Sequence, residues 1–211
     1  MKVKWGIAGQ DNIDFGLILF AGLLCHGVMA EVVIGSVSSI TSNSQYVKKV
    51  VFPLEIISLV SLSNAIFHMF LGMLILLAIF LLRGNSLEWT ILLAPVVLFP
   101  FVVFLLGLSW FLSVMGVYIR DLGQVVGVMM TVLMFLCSIV FPFDRLPVEL
   151  QPYVLWLNPL TIIVEQLRAV VLFGQLPDWE LLGLYSIGAF AMFFLGTWLF
   201  KRTRDGFADV I

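Results

Sequence analysis

The sequence predicts an all-α polytopic membrane protein with about five transmembrane helices, and three observations carry that reading. Of its 211 residues 62% are hydrophobic and only 11% are charged, whereas soluble domains carry roughly 25% charged residues. Mean hydropathy is +1.13. The apolar residues gather into runs long enough to cross about 30 Å of hydrocarbon as helices. A soluble fold would have to cover that much core with too little polar surface. The net charge of −2 leaves no basic footprint for nucleic acid.

Taken in order, Lys2 and Lys4 precede Trp5, Gly6 and a largely polar stretch to Asp14. No apolar signal-peptide segment follows them, so the opening reads as a loop. The first span is expected over about Asp14–Val33, the second over Ile56–Leu82, the third between Trp89 and Tyr118, the fourth over Leu122–Phe141 and the fifth over Leu181–Phe200. The third is long enough to be tilted or broken, and Pro95 and Pro100 are expected to bend it. Trp89, Trp110, Tyr118, Trp179 and Trp198 fall near span ends, where interface aromatics concentrate.

Two segments do not fit the spanning pattern. In Asn43–Glu55, Lys48 and Lys49 cannot sit in hydrocarbon without large cost. Their neighbours Val47, Val50, Val51 and Phe52 avoid water, and Pro53 interrupts any helix. Such a segment lies on the membrane surface or docks on a partner. The second, Leu146–Gly174, contains Pro147, Pro152 and Pro159. Asn158-Pro159 is a helix start, because Asn caps and Pro suits the first turn. Gly174 is a stop. The helix between is too short to span, so Leu146–Gly174 reads as a re-entrant or interfacial helix pair before the last span. Thr161, Glu165 and Arg168 share one face of it by their spacing. Glu165 and Arg168 can pair there or line a wet vestibule.

Orientation follows the lysines and arginines. Five spans with Lys201, Arg202 and Arg204 inside also place Lys48, Lys49 and Arg120 inside. Lys2, Lys4, Arg83, Arg145, Arg168 and the N-terminus then lie outside. The tight Arg120-Asp121 loop serves topology or contacts a peripheral protein.

Chemical motifs are sparse. The sequence holds no phosphate-binding Gly-x-x-x-x-Gly-Lys-Ser/Thr loop and no His-Glu-x-x-His motif, so no catalytic residue, metal or cofactor is expected. Cys25 and Cys137 read as small buried hydrophobes. His26 is isolated. Asn64, His68 and Gly72 form a stripe on the second span, read either as facing a pathway or as making an interhelical hydrogen bond. Gly123, Gly127 and Thr131, and likewise Ser109, Ser113 and Gly116, are small-residue packing stripes.

Four segments resemble the permeases of ABC-2 type exporters, in the branch that moves O-antigen, capsular polysaccharide or teichoic acid. They are Asn43–Glu55 with its Tyr-Val-Lys-Lys-Val-Val-Phe-Pro-Leu-Glu run, Tyr118–Gln124, Asn158-Pro-Leu-Thr with Glu165-Gln-Leu-Arg168, and the tail Phe207–Ile211. The resemblance runs from about residue 12 to the end. It implies that residues 1–211 form one transmembrane domain, with residues 43–55 as a cytoplasmic coupling segment and residues 146–174 as external gate helices. It also implies a homodimer, two copies of a separate ATPase subunit that hydrolyses the ATP, and a lipid-linked polysaccharide as cargo in the cytoplasmic membrane. Tyr46, Lys48, Lys49, Phe52 and Glu55 would couple to the ATPase. Asn158, Glu165 and Arg168 would belong to the external gate, and Asn64 and His68 would face the pathway. The family has six spans and an N-terminal interface helix; this chain is expected to lack that helix and the first span. Two other functions stay open at this point. One is an ABC-2 permease for a drug or lipid-like molecule; the other is a non-transporting scaffold or inactive fragment.

Overall fold

The computed structural model describes residues 15–47, 53–139 and 158–207. Six helices organise them: α1 (Phe15–Ser39), α2 (Glu55–Leu82), α3 (Ala94–Tyr118), α4 (Leu122–Leu136), α5 (Pro159–Val171) and α6 (Trp179–Thr203). Short helical turns cover Thr41–Asn43 and Ser44–Val47, and a 3-10 turn over Trp89–Leu93 leads into α3. Four segments are long and apolar enough to cross a membrane: α1, α2, Trp89–Tyr118 and α6. The chain is thus a multi-pass, all-helical membrane protein, with a shorter fifth apolar helix in α4.

The helix ends differ from expectation for physical reasons. α1 runs past Val33 to Ser39 because its serines need no water. Ser36 Oγ donates to the Val32 carbonyl and also bonds Ser109 Oγ at 2.7 Å, and Ser39 Oγ donates to the Ser36 carbonyl. α4 stops at Leu136, where Cys137 turns extended, instead of continuing to Phe141. Its 15 residues rise about 22 Å, short of the hydrocarbon thickness. The carbonyls just beyond that stop are taken up by Arg168, as described below. Pro95 lies in the first turn of α3, where a missing N–H costs nothing, and Pro100 lies inside the helix. The long third segment is therefore broken at its start, between 3-10 and α geometry. α6 begins at Trp179, capped by Asp178, whose Oδ1 accepts from the Glu180 and Leu181 amides.

α1 is the central helix, touching α2, α3, α4 and α5. The broadest contact joins α3 to α6. There Gly107 and Gly196 bring the two backbones together, and a Cβ on either would overlap the opposing main chain. Ser109, Ser113 and Gly116 form the α1-facing seam of α3, with Gly116 against the Val37 carbonyl. The other small-residue stripe packs less. Gly127 has open space where a side chain would go, and Thr131 is exposed. Outward α2 and α4 present Phe67, Phe70, Val128 and Phe135, side chains that suit hydrocarbon.

One large apolar core runs along the bundle, from Leu17 to Val37 of α1, and a smaller cluster closes one end. The large core includes Ile18, Cys25, Ile139, Leu160, Ile163 and Leu167. The smaller cluster, at the C-terminal end of α1, joins Ile40, Trp110, Val114, Phe200 and Phe207. Ile18 and Ile40 are about 33 Å apart at a rise of about 1.5 Å per residue, close to a bilayer's hydrocarbon thickness. Trp110, expected at an interface, is instead buried in this second cluster. Cys25 and Cys137 are buried free thiols.

Candidate functional site

α5 is built as its sequence demands. The Asn158 side chain accepts from the Leu160 amide at 3.0 Å, and its Nδ2 donates to the Leu133 carbonyl of α4 at 3.1 Å. Pro159 occupies the first turn. Gly174 adopts φ +63, the left-handed conformation that ends a helix without strain. It also lies against Glu88, so that a Cβ there would fall 2.7 Å from the Glu88 Cγ. At 13 residues α5 rises about 20 Å and cannot span. Ten of its positions, from Leu160 to Val171, are buried, which fits a helix docked in the bundle and not one lying on its surface. Thr90 Oγ1 pins its C-terminal end by donating to the Val170 carbonyl at 2.7 Å. The first half of the expected helix pair, up to residue 157, lies outside the described residues.

Thr161, Glu165 and Arg168 do share a face, and it is turned toward the end of α4. Thr161 Oγ1 approaches Cys137 Sγ at 3.7 Å. Arg168 is fully buried. Its Nε and Nη2 donate to the Ile18 carbonyl of α1 at 3.1 and 2.9 Å. Nη1 donates to the Ser138 carbonyl at 2.8 Å and to Glu165 Oε1 at 2.9 Å, and Nη2 also reaches the Ile139 carbonyl at 3.3 Å. Of the two arrangements open to the Glu165–Arg168 pair, the structure has the i, i+3 pairing. The sequence places Arg168 on the outer side, at an external gate; the structure makes it a buried core residue joining α1, α4 and α5. A buried guanidinium survives only when its donors are satisfied, and main-chain carbonyls supply most of the acceptors. Gly22 makes the room: a Cβ there would sit 2.9 Å from Arg168 Nη2 and 3.1 Å from Ile139 Cγ1.

The Asn64–His68–Gly72 stripe divides. Gly72 is buried against Leu24, whereas Asn64 and His68 face outward from the chain. His68 Nδ1 bonds both carboxylate oxygens of Glu31 on α1, at 2.9 and 3.1 Å. The interhelical hydrogen bond is therefore present, but on the bundle's outer face and not in its interior. Glu31 went unnoticed in the sequence, although an acidic residue inside an apolar run is a visible signal. His26 also bridges helices, its Nε2 donating to the Met130 carbonyl of α4 at 3.0 Å.

At the opposite end from α5, Tyr46 falls on the Ser44–Val47 turn, and Lys48, Lys49 and Phe52 lie outside the described residues. Glu55 opens α2 and pairs with Arg204 Nη1 at 2.9 Å. The Trp110 indole N–H points to the Glu55 carbonyl at 3.4 Å. The roots of residues 41–54, Ile40 and Leu54, both pack on the Trp110–Phe207 cluster. Lys201 and Arg202 are on the same side, with Arg202 over the Trp198 ring at 5.4 Å. Arg120 follows the C-terminal end of α3 there as well.

Residues 2–172 match the profile of the ABC-2 type transporter membrane domain. The chain belongs to the ABC-2 type transporter family. Its relatives carry names that narrow the branch. It is 25% identical over 203 residues to the O-antigen export system permease protein RfbA of Myxococcus xanthus, an alignment covering 96% of this chain and 78% of that protein. A Klebsiella pneumoniae RfbA is 27% identical, with 94% and 76% covered. The polysialic acid transport protein KpsM of Escherichia coli is 25% identical, with 93% and 76% covered. These ABC-2 relatives are named as permease and transport proteins, not as ATPases.

Proposed function

We propose that this chain is the permease subunit of an ABC exporter that carries a lipid-linked polysaccharide of the O-antigen or capsule type across the cytoplasmic membrane. ATP hydrolysis would belong to a separate ATPase subunit. The observation that carries the reading is the match to the ABC-2 profile together with relatives named for O-antigen and polysialic acid transport, aligned over nearly the whole chain. The two ends of the bundle fit the division of labour. One end offers the Asn43–Glu55 segment with its paired lysines, suited to a soluble partner. The other offers α5, a short capped helix held at fixed depth. In this reading Tyr46, Lys48, Lys49, Phe52 and Glu55 couple to the ATPase, and Asn158, Glu165 and Arg168 set the external gate. Asn64 and His68, with Glu31, are polar groups at membrane depth on the outward face of α1 and α2. Such groups need water or protein beside them, which supports a second copy of the chain and a path between the two. The outward small-residue face of α4 at Gly127 and Thr131 is suited to the same association.

Deleting the gene from its host tests the reading. Surface polysaccharide should disappear while lipid-linked polymer accumulates inside the cell. Unchanged surface polymer, with no internal accumulation, would remove the assignment.

A further inference from the structure

The tail motif beginning at Phe207 has no part in the reading above, yet the structure buries Phe207 completely. Its ring meets Phe200 edge-on at 5.7 Å and 77°. The chain leaves α6 in a tight 3-10 turn over Arg204–Gly206, which folds Phe207 back on the bundle. The place it reaches is specific. Ile40 and Leu54, the two roots of the segment that carries Lys48 and Lys49, rest on the same cluster, and Trp110 of α3 lies in it. Arg204 meets the carboxylate of Glu55, the first residue of α2, at 2.9 Å, and the Trp110 indole N–H donates to the Glu55 carbonyl at 3.4 Å. Trp110 in turn stacks obliquely on Phe193 of α6, with ring centroids 5.5 Å apart.

We infer that the C-terminal turn Arg204–Phe207 is the buttress of the coupling segment: Arg204 holds the start of α2 and Phe207 seats both roots of the segment on α3 and α6. The inference rests on the reading that Asn43–Glu55 receives the ATPase. A push on a segment with loose roots would be lost in bending the segment itself. Seated on this cluster, the segment passes displacement to α2 directly and to the α3–α6 pair, which the Gly107–Gly196 contact makes move as one body. Arg204 and Phe207 are positioning residues. They need not touch the ATPase.

The test is a charge exchange in the full chain, co-expressed with the ABC ATPase of its host's polysaccharide export system. Three quantities are read: ATPase retained on the purified permease, ATP hydrolysed, and polymer exported. Arg204→Glu should retain the ATPase and its turnover while export per ATP falls about five-fold, the upper range for one exposed ion pair; Glu55→Arg, at a position that also couples to the ATPase, should lower export per ATP at least as far. The double exchange Glu55→Arg/Arg204→Glu should recover most of the loss, which a merely disturbed surface would not do. Arg204→Lys keeps the charge and should hold export near wild type, and it guards against misfolding of the reversed variant. Phe207→Leu should outperform Phe207→Ala, since only the alanine leaves the seat empty. Wild-type export per ATP in both single variants, or a double variant no better than either single, would overturn the inference. A wild-type chain that retains no ATPase would instead overturn the functional reading beneath it.

Discussion

Two arginine–glutamate pairs among the described residues, equal in length, stand in opposite settings. Arg168–Glu165 and Arg204–Glu55 are both 2.9 Å contacts, but the Arg168 side chain is 0% exposed and that of Arg204 is 49% exposed. The buried pair is a knot: the guanidinium also takes carbonyls from α1 and from the turn after α4, so its removal orphans groups in three elements. The exposed pair joins two elements and can be exchanged for water at small loss. Equal geometry therefore serves different ends. Arg168 fixes where α5 sits, whereas Arg204 steadies the start of α2, which in the proposed reading transmits movement.

The largest effect should come from cutting the knot. Arg168→Leu should destabilise the chain by on the order of 3–5 kcal/mol, because a buried polar network loses its centre. Thermal melting in detergent checks this, and a melt close to wild type would show that the carbonyls find other partners. At the opposite end, Phe207→Ala empties a fully buried seat and should cost about 3 kcal/mol, read by the same melt and by faster proteolysis after Lys201. Gly22→Ala comes next. Its Cβ would press on Arg168 Nη2 and Ile139, and overpacking of this kind costs about 1–3 kcal/mol. Adding Arg168→Lys to that variant should cost less than the sum of the two changes, since both act on one contact. Smallest is Arg204→Ala, at about 0.2–1 kcal/mol of stability. A drop as large as that of Arg168→Leu would abolish the contrast between the ends.

The two ends were not equally legible in the sequence. The limits of α5 were, because caps are local: Asn158-Pro159 and Gly174 announce a start and a stop whatever surrounds them. Four of the spans were legible by length and hydropathy. The short α4 was not, since its end is set by Arg168 arriving from a distant helix, and main-chain carbonyls leave no mark in a sequence. For the same reason the sequence leaves Arg168 between pairing with Glu165 and lining a wet vestibule, and does not show it buried on main-chain carbonyls. Trp110 read as an interface aromatic because hydropathy cannot tell a tryptophan at a helix end from one packed against the start of another helix. Glu31 carried a visible signal, an acid among apolar neighbours, but it gains meaning only beside His68 of another helix. The meeting of Ile40, Leu54 and Phe207 depends on the return of α6, a pairing no local pattern records.

Everything said of two unlike ends depends on their facing opposite compartments, and cysteine labelling of intact spheroplasts measures that directly. Ser42 and Gln175 are both exposed and belong to opposite ends, and the native Cys25 and Cys137 are buried and stay silent. With an impermeant thiol reagent, Gln175→Cys should label in intact spheroplasts and Ser42→Cys only after permeabilisation. Labelling of residue 42 in intact spheroplasts with residue 175 protected would contradict the account, placing the coupling segment outside and α5 against the cytoplasm.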